Sequence, residues 1–245
     1  MVDTDSGRAY GTHVADLKAR LGKDEALRQA IGGEFEAVGK LEYFLLRSLG
    51  LVDGHFIVDV GCGSGRLACQ MAHFPGISYL GTDVVQSLLD FAKAITKRPD
   101  WHFLLTEGTT IPCPADTADF VSFFSVFTHL LHEESFRYMK EASRVLKPGG
   151  YLVFSFIEFR VSSHWGIFFS SLADHVAGRH LNQFIDRDAI NVWAAHSNFE
   201  VVAVYDGDKP HIPIPEEIRW KNGNVMGSLG NLGQSVAVLR KMQLA

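Results

Sequence analysis

At 245 residues the chain suits one large α/β domain with at most a small appendage. Hydrophobic residues make up 47% and charged residues 21%, an ordinary globular composition and not that of a disordered chain. The formal net charge is −5, with no block of five like charges, so there is no electrostatic footprint for nucleic acid or an anionic membrane. The three cysteines, Cys62, Cys69 and Cys113, form no CxxC pair and point to a reducing compartment. Met1 to His13 is polar and lacks an apolar signal core. The apolar runs around Tyr151–Ile157 and Trp165–Phe169 are too short to span a bilayer. These features lead to the expectation of a soluble, cytoplasmic protein.

In chain order, residues 1–33 are weakly patterned, and short helices are predicted between His13 and Ile31, ended by Gly32-Gly33. Phe35, Val38, Leu41, Leu45 and Leu49 form an apolar stripe that predicts a helix over 34–49, with Gly50 as its C-cap. Strand and helix signals then alternate. Strands are predicted at Phe56–Val60, Ile77–Thr82, Trp101–Leu105, Phe120–Phe124 and Tyr151–Ile157. Helices are predicted at about Gly65–His73, Gln86–Lys97 and Glu133–Leu146, with Lys147-Pro148-Gly149-Gly150 as a stop and turn. A helix at Asp188–His196, a strand at Phe199–Tyr205, a long loop and a last strand at Ser235–Leu239 follow. Repeated β-α-β units predict a doubly wound, Rossmann-like α/β sheet, mostly parallel, with the last two strands as an antiparallel hairpin at the sheet edge. The organisation expected is an N-terminal helical extension over 1–50 and a second unit over 51–245, with insertions at about 160–185 and 206–234. In such a sheet ligands bind beyond the carboxyl ends of the strands.

The strongest local signal is Asp59-Val60-Gly61-Cys62-Gly63-Ser64-Gly65-Arg66, a strand running into three alternating glycines and a helix. Glycine lets the backbone turn tightly and approach a ligand, and the helix start offers free amides. A dinucleotide fingerprint needs glycine at the sixth position, where Arg66 stands, so the spacing favours a nucleoside ligand without a pyrophosphate. Asp83 closes the second strand about twenty residues later, where a carboxylate accepts hydrogen bonds from ribose hydroxyls. The alternative role for Asp83 is to cap the next helix.

With these motifs the chain resembles the class I S-adenosylmethionine-dependent methyltransferases. Asp59 to Gly65 matches their glycine motif and Gly81-Thr82-Asp83 their ribose-binding acid. Thr106 to Pro112 resembles their adenine segment, and Arg144-Val145-Leu146-Lys147-Pro148-Gly149-Gly150 resembles the turn before their fifth strand. The resemblance implies S-adenosyl-L-methionine as cofactor. It places Glu107, a departure from the usual aspartate, and Gly108 at the adenine. The expected cofactor contacts are Asp59, Gly61, Cys62, Gly63, Gly65, Asp83, Val84, Glu107, Gly108 and Ser125.

Methyl transfer needs a nucleophile held in line with the methyl group, and a base where that nucleophile is protonated. His129, on the loop after the fourth strand, is the candidate base, with a loop-ordering role as the alternative. Glu158 and Arg160, at the end of the fifth strand, are candidate acceptor contacts, and Glu158 is the second candidate catalytic residue beside His129. Phe124 and Phe127 are candidate aromatic faces for a sulfonium. Trp165, Phe168, Phe169, Leu172 and Val176 form a helical stripe that either roofs the acceptor pocket or faces the core. No role follows for His164, His175, His180 or His211. No metal is expected, because HExxH fails at Phe136 and no third ligand has recognisable spacing. The reading is of an enzyme acting on a small molecule at oxygen or nitrogen, with neither nucleic acid nor membrane as partner. A non-catalytic cofactor binder and a nicotinamide oxidoreductase are the alternatives.

Overall fold

The computed structural model describes residues 11, 14, 17, 19–21, 23–173 and 181–243. Val176, His175 and His180 of the sequence reading lie outside the described residues. Helices α1 (Lys23–Ala30) and α2 (Phe35–Ser48) precede the alternating core. That core runs β1 (Phe56–Val60), α3 (Arg66–Met71), β2 (Ser78–Asp83), α4 (Gln86–Thr96), β3 (His102–Leu105), β4 (Ala118–Phe123), α5 (His132–Val145) and β5 (Leu146–Phe156). It continues through α6 (Trp165–Ala173), α7 (Arg187–His196), β6 (Phe199–Tyr205), β7 (Ile212–Arg219), β8 (Val225–Gly230) and β9 (Ser235–Lys241).

Seven strands form one sheet in the order β3-β2-β1-β4-β5-β9-β6. The first five are parallel, and β9 runs antiparallel to both β5 and β6. The expected hairpin of the last two sheet strands is therefore present, with β6 at the edge and β9 inside it. Alternate residues of the central strands feed two cores, as expected for a sheet covered on both faces. Ile57, Phe120 and Val153 meet α2 and α3 through Leu41, Leu45 and Leu67. Val58, Val121 and Phe154 meet α5 and α7 through Met139, Ala142 and Ile190. Leu27 and Ala30 of α1 pack on Leu88 and Phe91 of α4. Among the described residues no helix is long and apolar enough to cross a membrane.

Two elements depart from the sequence reading. Lys147-Pro148-Gly149-Gly150 lies within β5 as an irregularity, its register jumping from Ala118↔Leu146 to Phe120↔Tyr151. The stretch 206–234, read as a loop, contains the antiparallel pair β7–β8. Ile212, Ile214 and Ile218 of β7 are buried in the core beside α2, while Pro213 and Pro215 face outward on a strand paired along one side only.

Candidate active site

Strand order reverses between β1 and β4, the place where an open parallel sheet leaves a crevice. A cavity of about 160 Å³ lies there, lined by segments that follow β1, β2, β3 and β4. Asp59, Gly61, Cys62, Gly63, Asp83, Val84, Gly108, Ser125 and His129 all line it. Gly65 and Glu107 do not. Gly65 serves the turn from behind, at the N-cap of α3, and Glu107 is exposed.

The turn after β1 requires glycine for two reasons. Gly61 and Gly63 have φ of 71° and 54°, the left-handed region that side chains disfavour. A Cβ on Gly61 would also collide with Val126, and one on Gly63 would lie 2.5 Å from Ile31 Cγ2. The turn is held by a carboxylate. Asp83 accepts hydrogen bonds from the Gly63 and Val85 amides, both at 2.9 Å, so it fastens the glycine turn to the start of α4 while lining the cavity. Burial raises its carboxyl to about 6 against the pull of the Val85 and Gly63 N–H groups. Asp59 accepts from the Tyr79 and Ser122 hydroxyls, both at 2.8 Å, and burial raises it to about 7.

A buried ion pair lies behind the turn. Arg66 donates to both carboxylate oxygens of Glu42 on α2 and to the Gly32 carbonyl at 2.9 Å. Glu42 and Arg66 are 2% and 7% exposed, and both line the cavity. The pair joins the loop carrying Ile31 to the glycine turn. The sequence reading missed Glu42. Its signal was a lone acid between Leu41 and Leu45 on a helix with a buried face. Tyr138, another unforeseen lining residue, donates to the Gly108 carbonyl at 2.9 Å and fixes the segment after β3.

His129 ends a short 3₁₀ turn, Phe127–His129, after β4. Its Nδ1–H donates to the Leu181 carbonyl at 2.8 Å, which leaves Nε2 as the basic nitrogen of the neutral ring. Burial lowers its pKa, so the ring is neutral at pH 7. Glu158 is a correction. It is 2% exposed and lines neither this cavity nor the one beside it, so it is not positioned as a catalytic group. Arg187 grips it with two hydrogen bonds, at 2.8 and 2.6 Å, and the Ser235 hydroxyl donates to it as well. A strand-end charge buried this deeply needs such partners. Arg160 is exposed.

Phe124 lines the cavity, whereas Phe127 is fully buried between Phe123 and Phe154. The α6 stripe neither roofs the cavity nor faces the core. Trp165, Phe169 and Leu172 are exposed, and Trp165 and Phe168 meet Phe159 in an aromatic cluster. His164 accepts from the Glu158 amide and donates to the Gly233 carbonyl, each at 3.0 Å. His211 stacks on Tyr205.

The fit to a nucleoside amino acid follows from this geometry: a glycine cradle, a buried carboxylate for hydroxyl donors and a second carboxylate beside the turn. Residues 58–154 match the family model described as "Methyltransferase domain". Over those residues the chain is similar to a methyltransferase domain. Its methyltransferase relatives include a sterol 24-C-methyltransferase of Pneumocystis carinii, 28% identical over 58% of this chain and 36% of that protein. A demethylmenaquinone methyltransferase of Chlorobaculum tepidum is 38% identical over 38% of this chain and 37% of that one. The chain thus spans little more than a third of the length of these two methyltransferases. Among solved structures, a magnesium protoporphyrin IX methyltransferase from Synechocystis with bound SAH covers 94% of this chain and 99% of its own, at TM-score 0.62 and 15% identity. A SAM-dependent methyltransferase from Methanosarcina mazei covers 81% and 98%, at TM-score 0.57 and 19% identity. These likenesses establish the methyltransferase fold.

Proposed function

We propose that the protein transfers a methyl group from S-adenosylmethionine to oxygen or nitrogen of a small-molecule acceptor. The carrying observation is one cavity at the switch point in which the glycine turn, Asp83 and His129 come together. S-adenosylmethionine supplies, when bound, an electrophilic methyl group whose bond to sulfur breaks with the electron pair remaining on sulfur. Asp83 would hold the ribose hydroxyls, and the segment with Gly108 would border the adenine. His129 takes the acceptor's proton at Nε2 as the new bond to carbon forms, while its Nδ1–H stays anchored on Leu181. Relatives named for a sterol and for demethylmenaquinone support a small-molecule acceptor. The choice of oxygen or nitrogen rests on His129, because a group that must lose a proton profits from a base.

Thermal unfolding with S-adenosylhomocysteine and with NAD tests the cofactor. A ligand that binds only the native state raises the melting temperature. A rise with S-adenosylhomocysteine alone is expected, and a rise with NAD alone overturns the reading.

A further inference from the structure

A second cavity, of about 270 Å³, adjoins the first and shares Ile31, Glu42, Arg66, Phe124, Ser125 and His129 with it. Its remaining wall includes Gly33 and Val38, together with Leu232 and Gln234 on the connection from β8 to β9. These residues lie outside the matched residues 58–154, which carry the cofactor motifs.

Among the described residues the carboxylate and the guanidinium on this wall belong to Glu42 and Arg66, and they are spent on each other. Every guanidinium nitrogen of Arg66 has an acceptor. Nε and Nη2 donate to the two oxygens of Glu42, and Nη1 donates to the Gly32 carbonyl at 2.9 Å. Burial raises the Glu42 carboxyl, and a guanidinium that donates to both of its oxygens keeps it ionised. The remaining titratable side chain, His129, is neutral at pH 7 because burial lowers its pKa. Ser125, Ser155 and Gln234 supply uncharged polar groups, and Val38, Phe124 and Leu232 supply apolar surface. A charged group entering here would leave water and gain no counter-charge unless it broke the pair, and a buried charge without a partner is costly.

We infer that the second cavity is the acceptor site, that it selects an uncharged small molecule, and that the Glu42–Arg66 pair determines this specificity. This rests on the methyltransferase reading and deepens it by naming the class of acceptor. The pair acts by closing on itself, so that it offers a counter-charge to neither an anion nor a cation. The size suits a ring with a polar substituent, because a dry cavity of about 150 Å³ already holds benzene.

The test is a ligand-observed NMR titration, at pH 7, of benzamide, benzoate and benzamidinium against protein saturated with S-adenosylhomocysteine. The probes share one shape and are neutral, anionic and cationic. Wild-type protein should bind benzamide roughly tenfold more tightly than either ion, or better. Leu232 lines the second cavity and not the first. Leu232→Trp fills that space and should remove benzamide binding, while calorimetric titration shows that S-adenosylhomocysteine still binds. Glu42→Gln leaves the charge of Arg66 unspent and should reverse the order, so that benzoate binds more tightly than benzamide. Far-ultraviolet circular dichroism reports whether this variant folds, and where it does not, the wild-type ranking and Leu232→Trp decide. Equal binding of the probes to wild-type protein, tighter binding of either ion, or no binding of benzamide overturns the inference. So does benzamide binding that survives Leu232→Trp, or an unchanged order in folded Glu42→Gln. Failure of S-adenosylhomocysteine to bind wild-type protein overturns the proposed function instead.

Discussion

Asp59→Asn tests whether the acids of the cavity are governed by burial. Asp59 is 3% exposed, and its carboxyl, ordinarily at 3.8, rises to about 7 in spite of the Tyr79 and Ser122 hydroxyls. Unfolding returns it to the ordinary value. Between those two values the folded chain holds a proton that the unfolded chain has released, so wild-type stability falls as pH rises through the window and levels off above about 7. Each pH unit inside the window amounts to about 1.4 kcal/mol. Asparagine does not titrate. The stability of Asp59→Asn relative to wild type should therefore grow by roughly 3 kcal/mol from about pH 5 to about pH 8, with most of the gain below 7. Urea unfolding followed by circular dichroism, on both proteins at each pH, reads this directly. Altered hydrogen bonds from asparagine to Tyr79 and Ser122 shift the whole difference curve without changing its slope. Parallel stability curves, or a difference that shrinks as pH rises, would refute the argument.

Gly63→Val forces a branched side chain onto a left-handed backbone and into Ile31, so calorimetric binding of S-adenosylhomocysteine should vanish while the far-ultraviolet spectrum is retained. Unchanged affinity would remove the glycine turn from the site. Asp83→Ala should weaken that binding by about 1–3 kcal/mol, and wild-type affinity would leave the residue only its role at the start of α4. His129→Ala should lower turnover by roughly 10²–10⁴ with cofactor affinity preserved. A parallel loss of cofactor affinity would make it the residue that orders the loop through Leu181. Glu158→Ala leaves Arg187 paired with Asp206 alone and should cost about 1–3 kcal/mol in urea unfolding. Turnover per folded molecule should persist, and a collapse of turnover in stable protein would return Glu158 to the chemistry.

The parts of the fold legible in the sequence are those where one local rule acts alone. β1 and β4 read as strands because both of their faces are buried, which leaves nearly unbroken apolar runs. The turn from Gly61 to Gly65 is readable because no other residue type serves that backbone. β7 was missed although Ile212, Ile214 and Ile218 mark its inner side, since Pro213 and Pro215 argue against a strand until it is known to be paired on one side only. Glu42 and Glu158 were opaque for a different reason. Their meaning is supplied by Arg66 and Arg187, 24 and 29 residues away in the chain, and no local pattern announces such a partner.

The placement of β9 between β5 and β6 carries a consequence for biogenesis. While the chain is being translated, every other strand of the main sheet leaves the ribosome before residues 235–241 do. Until then the flank of β5, with Leu152, Val153 and Phe154 all destined for complete burial, has no neighbour, and β6 has nothing to join. Until β9 emerges the nascent protein therefore carries an open hydrophobic strand, the kind of edge that recruits other chains. Yield in a cell should accordingly depend on chaperone supply and on the pace of elongation between β6 and β9 more than on the stability of the finished molecule.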